Sequence, residues 1–541
     1  MSATRLATLL PPVVVGAIAA ALGIWRLMPG VGYWDTAEFQ TVAPLLGTAH
    51  PTGYPTYVIL GWLASAILSP IGEAAVRMNT LSALLVGASA AVTVDLARRL
   101  TGSTILAIVA GLGLAATPIV WKIGTHADPH ALHLLFVAIL LWLLVRWEDA
   151  RIDEPERADR WLVGAAAVTG FAAGNHSLTT LLALPIGLYV LAVEPGIVRR
   201  IRLVATCVVA VLVVTMAMYL ELPLRGGAIP SLEAHENLVY GDPSTWSGFT
   251  YVATGEQFRG GISDPFGNLP RKIGELGALA ARELGPLAVL VIAGFVVTMV
   301  RRPAFGLLTG SAMAITCFFN AAYVNADIER YYLGPALIAW LWLAILAATV
   351  VDGISGELAI RSARAPRAAG QAEPAGPTDA EPAPGPRRRL RNPYRLAAMG
   401  LAGLLLLAPS AVAFPARATA VDRTDDRSAT LWLDAVLDEL EPDPIVISWW
   451  SYSTSLWYAQ HIQGRRPDVF IADDRTRLDL NMGDLVSVID RNLAIARPVY
   501  VIRIDQNELR LLRERYNLTP LASPIARNVL RVQPIQTGAA R

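Results

Sequence analysis

Apolar runs of about twenty residues recur through most of this chain, and they constrain its fold more than any other feature. A helix needs about that length to cross a hydrocarbon core, and in lipid only helices or closed barrels satisfy their own backbone groups. Such runs occupy 7–28, 76–97, 103–121, 130–147, 161–174, 178–194, 201–222, 284–300, 303–323, 331–352 and 394–414. They predict an all-α polytopic membrane protein with eleven transmembrane helices. Composition agrees: only 16% of the 541 residues are charged, against about 25% in an ordinary soluble domain. Cys207 and Cys317 both fall inside apolar runs, which excludes a disulfide framework or a cysteine-based metal site. A net charge of +1 with dispersed basic residues gives no nucleic-acid signature. The first run follows Arg5 and resembles a signal peptide, but the spans after it favour an uncleaved first transmembrane helix.

Orientation follows from lysine and arginine, which accumulate on the cytoplasmic side of short loops. The apolar stretch 54–70 is short and follows the turn-rich segment His50-Pro51-Thr52-Gly53-Tyr54-Pro55. If it does not cross, Arg98/Arg99, Arg146/Arg151, Arg199/Arg200/Arg202, Arg301/Arg302 and the arginines of 361–395 all fall inside. That arrangement puts the amino terminus in and the carboxy terminus out. Arg77 and Lys122 are then outward exceptions, suited to an anionic ligand. The chain divides into a membrane core (1–352), a Pro/Ala/Arg-rich cytoplasmic linker without core-forming residues (353–393), a last span (394–414) and a small extracytoplasmic domain (415–541). In that domain the runs 444–448, 468–472 and 498–502 read as buried strands and 453–463 as a helix, an α/β pattern.

With this topology most of the unusual loop residues share the outer face. Ionisable groups at membrane depth are costly, so their clustering marks a functional site. Asp35 and Glu38 fit a capping box that opens a helix through Leu46; they equally fit a pair in which one carboxylate takes a proton from a hydroxyl and the other positions it. His50 to Pro55 is a rigid turn that carries His50 and Tyr54 at headgroup level, with Arg77 and Asn79 opening the next span. His126-Ala127-Asp128-Pro129-His130 looks like a ligand cluster, but Pro129 breaks the helix and the spacing matches no zinc signature. A metal is therefore not favoured, with Mn or Mg better suited than zinc. Asn175-His176 caps two short spans or lines the site. The loop 223–283 carries Arg225 and Asp242 within turn sequences.

Taken together, these segments resemble a family: bacterial proteins grouped with the eukaryotic transmembrane O-mannosyltransferase that modifies plexin-type receptor domains, of the GT-C class. An Asp-Ser-Gly-Glu-Phe first loop is matched by Asp35-Thr36-Ala37-Glu38-Phe39, and a His-Pro-Pro-Gly-Tyr-Pro turn by His50 to Pro55, with Thr52 in place of proline. Arg77-Met78-Asn79, Asn175-His176, the Pro223-Leu224-Arg225 to Gly241-Asp242-Pro243 loop and Tyr331-Tyr332-Leu333 also fit. One departure touches substrate identity: Asp128-Pro129-His130 stands where the family has Glu-Val-Tyr. The resemblance implies transfer of a sugar, mannose by family, from a polyprenyl-phosphate donor to a protein, glycan or lipid hydroxyl outside the cell membrane, with inversion and without a cofactor. It casts Asp35 as base, Glu38 as its partner or a sugar ligand, and Arg77, Lys122 and Arg225 as phosphate contacts. His50, Tyr54, Asn79, His126, Asp128, His130, Asn175, His176, Asp242 and Arg330 complete the substrate-binding set. The rival reading is a transporter or flippase for an anionic lipid or solute. The lack of an internal repeat and of charges near mid-span argues against it.

Overall fold

Lipid-facing helices can be apolar all round, and several helices of this chain are long apolar runs. The computed structural model describes residues 3–228, 238–262, 264–325, 327–364 and 393–535. Among them, eight helical segments are long and apolar enough to cross a membrane: Ala7–Trp25, Ala74–Thr101, His130–Asp153, Ile201–Gly226, Leu269–Arg301, Pro303–Ala322, Ile328–Ser355 and Tyr394–Ala420. Eleven were expected from the apolar runs; the three runs outside this set, 103–121, 161–174 and 178–194, form shorter or interrupted helices for local reasons. The run 103–121 is broken into Thr104–Ala115 and Pro118–Ile123, because a proline disfavours helical geometry in the residue before it. The run 178–194 begins as the 3-10 turn Ser177–Leu182, leaving an eleven-residue helix, Ala183–Val193. The run 161–174 lies in Pro155–Ala173, whose first turns carry Arg157, Asp159 and Arg160. The stretch 54–70 is the thirteen-residue helix Pro55–Ile67, about 20 Å long at 1.5 Å per residue and too short for a hydrocarbon core of about 30 Å.

The first span packs along Ala74–Thr101 through small residues. A Cβ on Gly87 would stand 2.6 Å from the Gly16 carbonyl oxygen, and one on Gly16 would stand 2.8 Å from that of Gly87. Backbones this close are the signature of small-residue helix packing in membranes. The arginine-rich loops gather at one end of the bundle. Arg302 donates to the Arg99 carbonyl at 3.1 Å, Arg99 reaches Asp149 at 3.5 Å, and Arg98 donates to the Thr8 carbonyl at 2.9 Å. The helix Leu333–Arg364 runs through the first third of the expected linker; 365–392 lie outside the described residues.

The carboxy-terminal domain has a five-stranded sheet: β1 (Ile445–Ile447), β2 (Phe470–Ala472), β3 (Val499–Ile502), β4 (Tyr516–Pro520) and β5 (Val529–Pro534). Its order is β2-β1-β3-β5-β4, with β1 parallel to both β2 and β3 and the β3, β5 and β4 pairings antiparallel. The first three strands are the runs predicted from sequence. The domain does not stand apart from the membrane core. Ser455 Oγ donates to the Gly32 carbonyl at 2.8 Å, the Tyr458 hydroxyl accepts from Ala75 N at 3.1 Å, and Arg475 stacks over Tyr240 and Tyr251.

Candidate active site

At the end of the bundle opposite the arginine-rich loops lies a cavity of about 980 Å³, at the upper end of the range for small-molecule sites. Separate parts of the chain build it: the loops flanking Trp34–Leu45, the turn before His130, the segment 176–181, the loop 254–262, the stretch 324–331, and residues 423–450 at the start of the carboxy-terminal domain. The helix Trp34–Leu45 begins after Tyr33, which serves as N-cap without a side-chain bond. The expected capping box is therefore not formed. Asp35 sits two residues past the N-cap, and both carboxylates turn to tertiary partners instead.

Arg330 is the partner of Asp35. Its Nη2 donates to Asp35 Oδ2 at 2.6 Å and its Nη1 to Asp128 Oδ2 at 3.2 Å, with the guanidinium side chain only 13% exposed. A guanidinium presents a fixed fork of donors, so one arginine can bridge two acids. Burial works to raise the Asp35 carboxyl, but Arg330 and then His50 overcome it and hold the group below its ordinary value. Asp128 is lowered too: burial opposes its charge, while His130 and Arg330 outweigh that cost. Its Oδ1 also accepts from the His130 backbone N–H at 2.7 Å, the first N–H of the helix His130–Asp153.

Glu38 is 1% exposed and is not among the residues that line the cavity. One oxygen accepts from His50 N at 2.9 Å and the other pairs with His50 Nδ1, so it fixes the turn that Gly53 allows at φ 80°. Burial pulls the His50 imidazole down, yet Glu38 more than reverses this and leaves it raised. The far side of His50, Nε2, meets the Tyr54 hydroxyl at 3.2 Å, and both rings line the cavity. Burial, with Arg423 and Lys122 acting against Asp128, pushes His126 down to about 4, so it is neutral at pH 7.

Of the residues singled out from sequence, Asp35, His50, Tyr54, Lys122, His126, Asp128, His176 and Arg330 line this one cavity. His130 stands just behind it, its ring 5.1 Å from Tyr331 and 4.6 Å from His176. Asn79 is fully buried and joins three segments: Nδ2 donates to the Met28 carbonyl at 2.9 Å, while Oδ1 accepts from Gln40 and from Ala127 N, both at 2.8 Å. Asn175 likewise ties to the Pro129 carbonyl at 3.2 Å. Arg77 does not reach the cavity. It is bound to the Gly72 and Ser65 carbonyls at 2.7 and 3.2 Å and borders a different cleft. Arg225 lies beside Glu221 at 3.6 Å and Asp242 bonds Ser244; neither lines the cavity. In their place stand Arg259, Arg423 and Trp450, which sequence reasoning missed. Arg423 follows directly on the last span, on the face already predicted to be outer, and that position was the available signal. Trp450 comes from the carboxy-terminal domain, and local sequence gives no sign of its position. Lys122 pairs with Asp327 at 3.7 Å and Arg423 with Asp426 at 2.6 Å.

The fold is that of a polytopic membrane protein with a GT-C-like architecture. The chain superposes over its whole length on the crystal structure of ArnT from Cupriavidus metallidurans bound to undecaprenyl phosphate, with a TM-score of 0.58 and 16% identity over all of both chains. It also matches the archaeal oligosaccharyltransferase AglB from Archaeoglobus fulgidus, in complex with an inhibitory peptide and a dolichol-phosphate. There the TM-score is 0.52 and the identity 14%, over 98% of this chain and 75% of that one. Residues 35–196 match the Protein O-mannosyl-transferase TMEM260 N-terminal domain. Protein O-mannosyl-transferase TMEM260 of Mus musculus is 29% identical over 231 residues, 41% of this chain. The match spans 30% of the mouse protein's length. The match to the family model begins at Asp35 and takes in the turn His50 to Pro55, Lys122 to His130, and Asn175-His176.

Proposed function

We propose that this chain is a membrane glycosyltransferase that moves a sugar, mannose by its relatives' activity, from a polyprenyl-phosphate donor to an acceptor hydroxyl outside the cell membrane. The observation that carries the reading is the Asp35–Arg330–Asp128 array inside the cavity: a carboxylate to take a proton beside a cation to receive a phosphate. The acceptor oxygen attacks C1 of the sugar as the bond from C1 to the phosphate oxygen breaks, with inversion. The hydroxyl proton passes to Asp35, and the polyprenyl phosphate departs with one more negative charge than it had as a diester. Fixed positive charge aimed at developing negative charge is the strongest device available to such a site. Arg330, Lys122, Arg259 and Arg423 supply it, and the leaving phosphate needs no general acid. When the donor phosphate shares Arg330, the hold on Asp35 weakens and the carboxylate becomes a better base. Glu38 acts as a positioning residue, because it reaches the cavity only through His50. The lipid phosphates of the ArnT and AglB structures, and the peptide of the latter, support a lipid-linked donor and a polypeptide acceptor. The arginine-rich end opposite the cavity supports an outward-facing site.

The test is to incubate the purified chain with radiolabelled polyprenyl-phosphate sugars and cell-envelope extract. Label moving from the mannose donor into the protein fraction is expected. Label carried across proteoliposomes without covalent transfer would favour the transporter reading.

A further inference from the structure

We propose that the crevice at the carboxyl ends of β1 and β3 is the docking site for the acceptor, and that the acceptor is a polypeptide held by apolar side chains near its hydroxyl. The proposal rests on the transferase reading above and names the partner for that same site. In an open sheet, ligands bind outside the carboxyl ends of parallel strands at the point where the strand order reverses. Here the chain crosses from β1 to β2 on one side and returns to β3 on the other, so the reversal lies between β1 and β3. A crevice of about 430 Å³ opens there, lined by Ser451 and Tyr452 beyond β1 and by Ile504 beyond β3.

Its opposite wall belongs to the membrane core. Tyr33 and Trp34 line this crevice and also the main cavity, and they immediately precede Asp35. A ligand held between the two walls is thereby led to the carboxylate. Tyr33 packs on Tyr452 and Trp432 with centroids 5.5 and 6.0 Å apart, and Trp34 meets Trp450 at 6.3 Å. Trp34 adopts φ 56°, a left-handed conformation costly for a bulky side chain, while its ring is 51% exposed. Burial of its own ring does not repay that strain. Strained backbone of this kind gathers at ligand clamps.

The lining selects the ligand. Ile504, Pro524 and Ile525 form an apolar rim, and Ile504 and Ile525 are 50% and 54% exposed. Among the described residues no carboxylate lines the crevice, whereas a saccharide presents hydroxyls that call for many polar side-chain partners. The polar groups that do line it suit a main chain: the Arg527 guanidinium is a donor for carbonyls, and Asn528 has a buried amide nitrogen without a partner among the described residues while its oxygen accepts from Trp432 at 2.9 Å. Rigid aromatic anchors beside apolar pockets are the usual means of holding a peptide segment.

The test uses the full-length chain in nanodiscs with undecaprenyl-phosphomannose and two synthetic peptides around one threonine, one flanked by isoleucine and phenylalanine, the other by glycine. Ile504→Asp and Ile525→Asp change exposed side chains only, so the fold is retained. Binding of the apolar peptide, read by fluorescence anisotropy, is expected to weaken at least about tenfold in each variant, the scale of a lost interface anchor. KM for that peptide should rise by the same factor, while kcat and the release of sugar to water without peptide stay within about twofold. Equal binding of the two peptides, or of the apolar peptide to wild type and variants, overturns the crevice. A mannose oligosaccharide that binds in place of the peptide and is lost on Ile525→Asp overturns the polypeptide assignment. Peptide binding that needs Ile525, with no sugar leaving the donor in any sample, sustains the docking site and sinks the transferase reading instead.

Discussion

The Asp35 carboxylate lies in the first turn of its helix, yet its partner is Arg330, 295 residues further along. Asp35→Asn keeps the shape and removes the proton acceptor. Transfer is expected to fall by about a hundredfold or more, with donor-lipid binding retained. Arg330 still has Asp128, so stability should drop by no more than about 1–3 kcal/mol, the scale of one lost charged hydrogen bond. Near-normal turnover of Asp35→Asn in a radiolabel assay would move the base to Asp128. Arg330→Met makes a separate forecast about pH. Burial raises the Asp35 carboxyl and the cation lowers it, so without the cation the acidic limb of the rate profile should move to higher pH. The same shift changes stability: a depressed carboxylate stabilises the fold above its unfolded pKa of about 3.9 and loses that contribution as pH falls through the folded value. An unmoved acidic limb in Arg330→Met would mean that another group sets it. The carboxylates were legible in the sequence as candidates, but their partners were not. Four residues of sequence around Asp35 match a capping box, and nothing local announces an arginine from the far end of the chain.

Helices were legible where composition alone decides them, and less so where a few residues tip the balance. The eight long apolar segments follow from their apolar runs, whereas the breaks at Pro118 and at Ser177–Leu182 depend on local chemistry inside equally apolar sequence. Packing between elements was not legible. The contact of Gly16 with Gly87 sets how the first span lies along Ala74–Thr101, and this in turn aims Asn79 at Met28, Gln40 and Ala127. Gly87→Val is expected to destabilise the protein by about 1–3 kcal/mol through overpacking, seen as a lower melting temperature in detergent, and to reduce transfer by loosening the loops that Asn79 joins. Gly187 has open space around its Cβ position, so Gly187→Val is the control and should leave both readouts nearly unchanged. Equal melting of the two variants would remove the small-residue contact from the account of this bundle.

At the scale of the molecule, charge sorts the two ends. Arg98, Arg99, Arg302 and Arg395 gather around Asp95, Asp149 and Asp352 at one end, and the cavity with its arginines and the carboxy-terminal domain occupies the other. The rule that lysine and arginine remain cytoplasmic applies to the short loops of the first end. The cationic groups of the second end line a cavity or pair with acids there, as Lys122 does with Asp327, Arg330 with Asp35 and Asp128, and Arg423 with Asp426. Reporter fusions should therefore report Glu73 and Thr424 as extracytoplasmic and Arg98 and Arg301 as cytoplasmic. The assignment turns on the helix Pro55–Ile67, which at about 20 Å cannot span about 30 Å of hydrocarbon. Its Trp62, Leu63 and Ile67 are exposed, as expected of a helix lying in the membrane interface, where aromatic and aliphatic side chains rest among headgroups. Because Asp35 and Asp128 share one cavity, a cytoplasmic signal at Glu73 together with an extracytoplasmic one at Arg98 would require the whole bundle to be inverted. The cavity would then open to the cytoplasm, and a nucleotide-linked donor would have to replace the lipid-linked one.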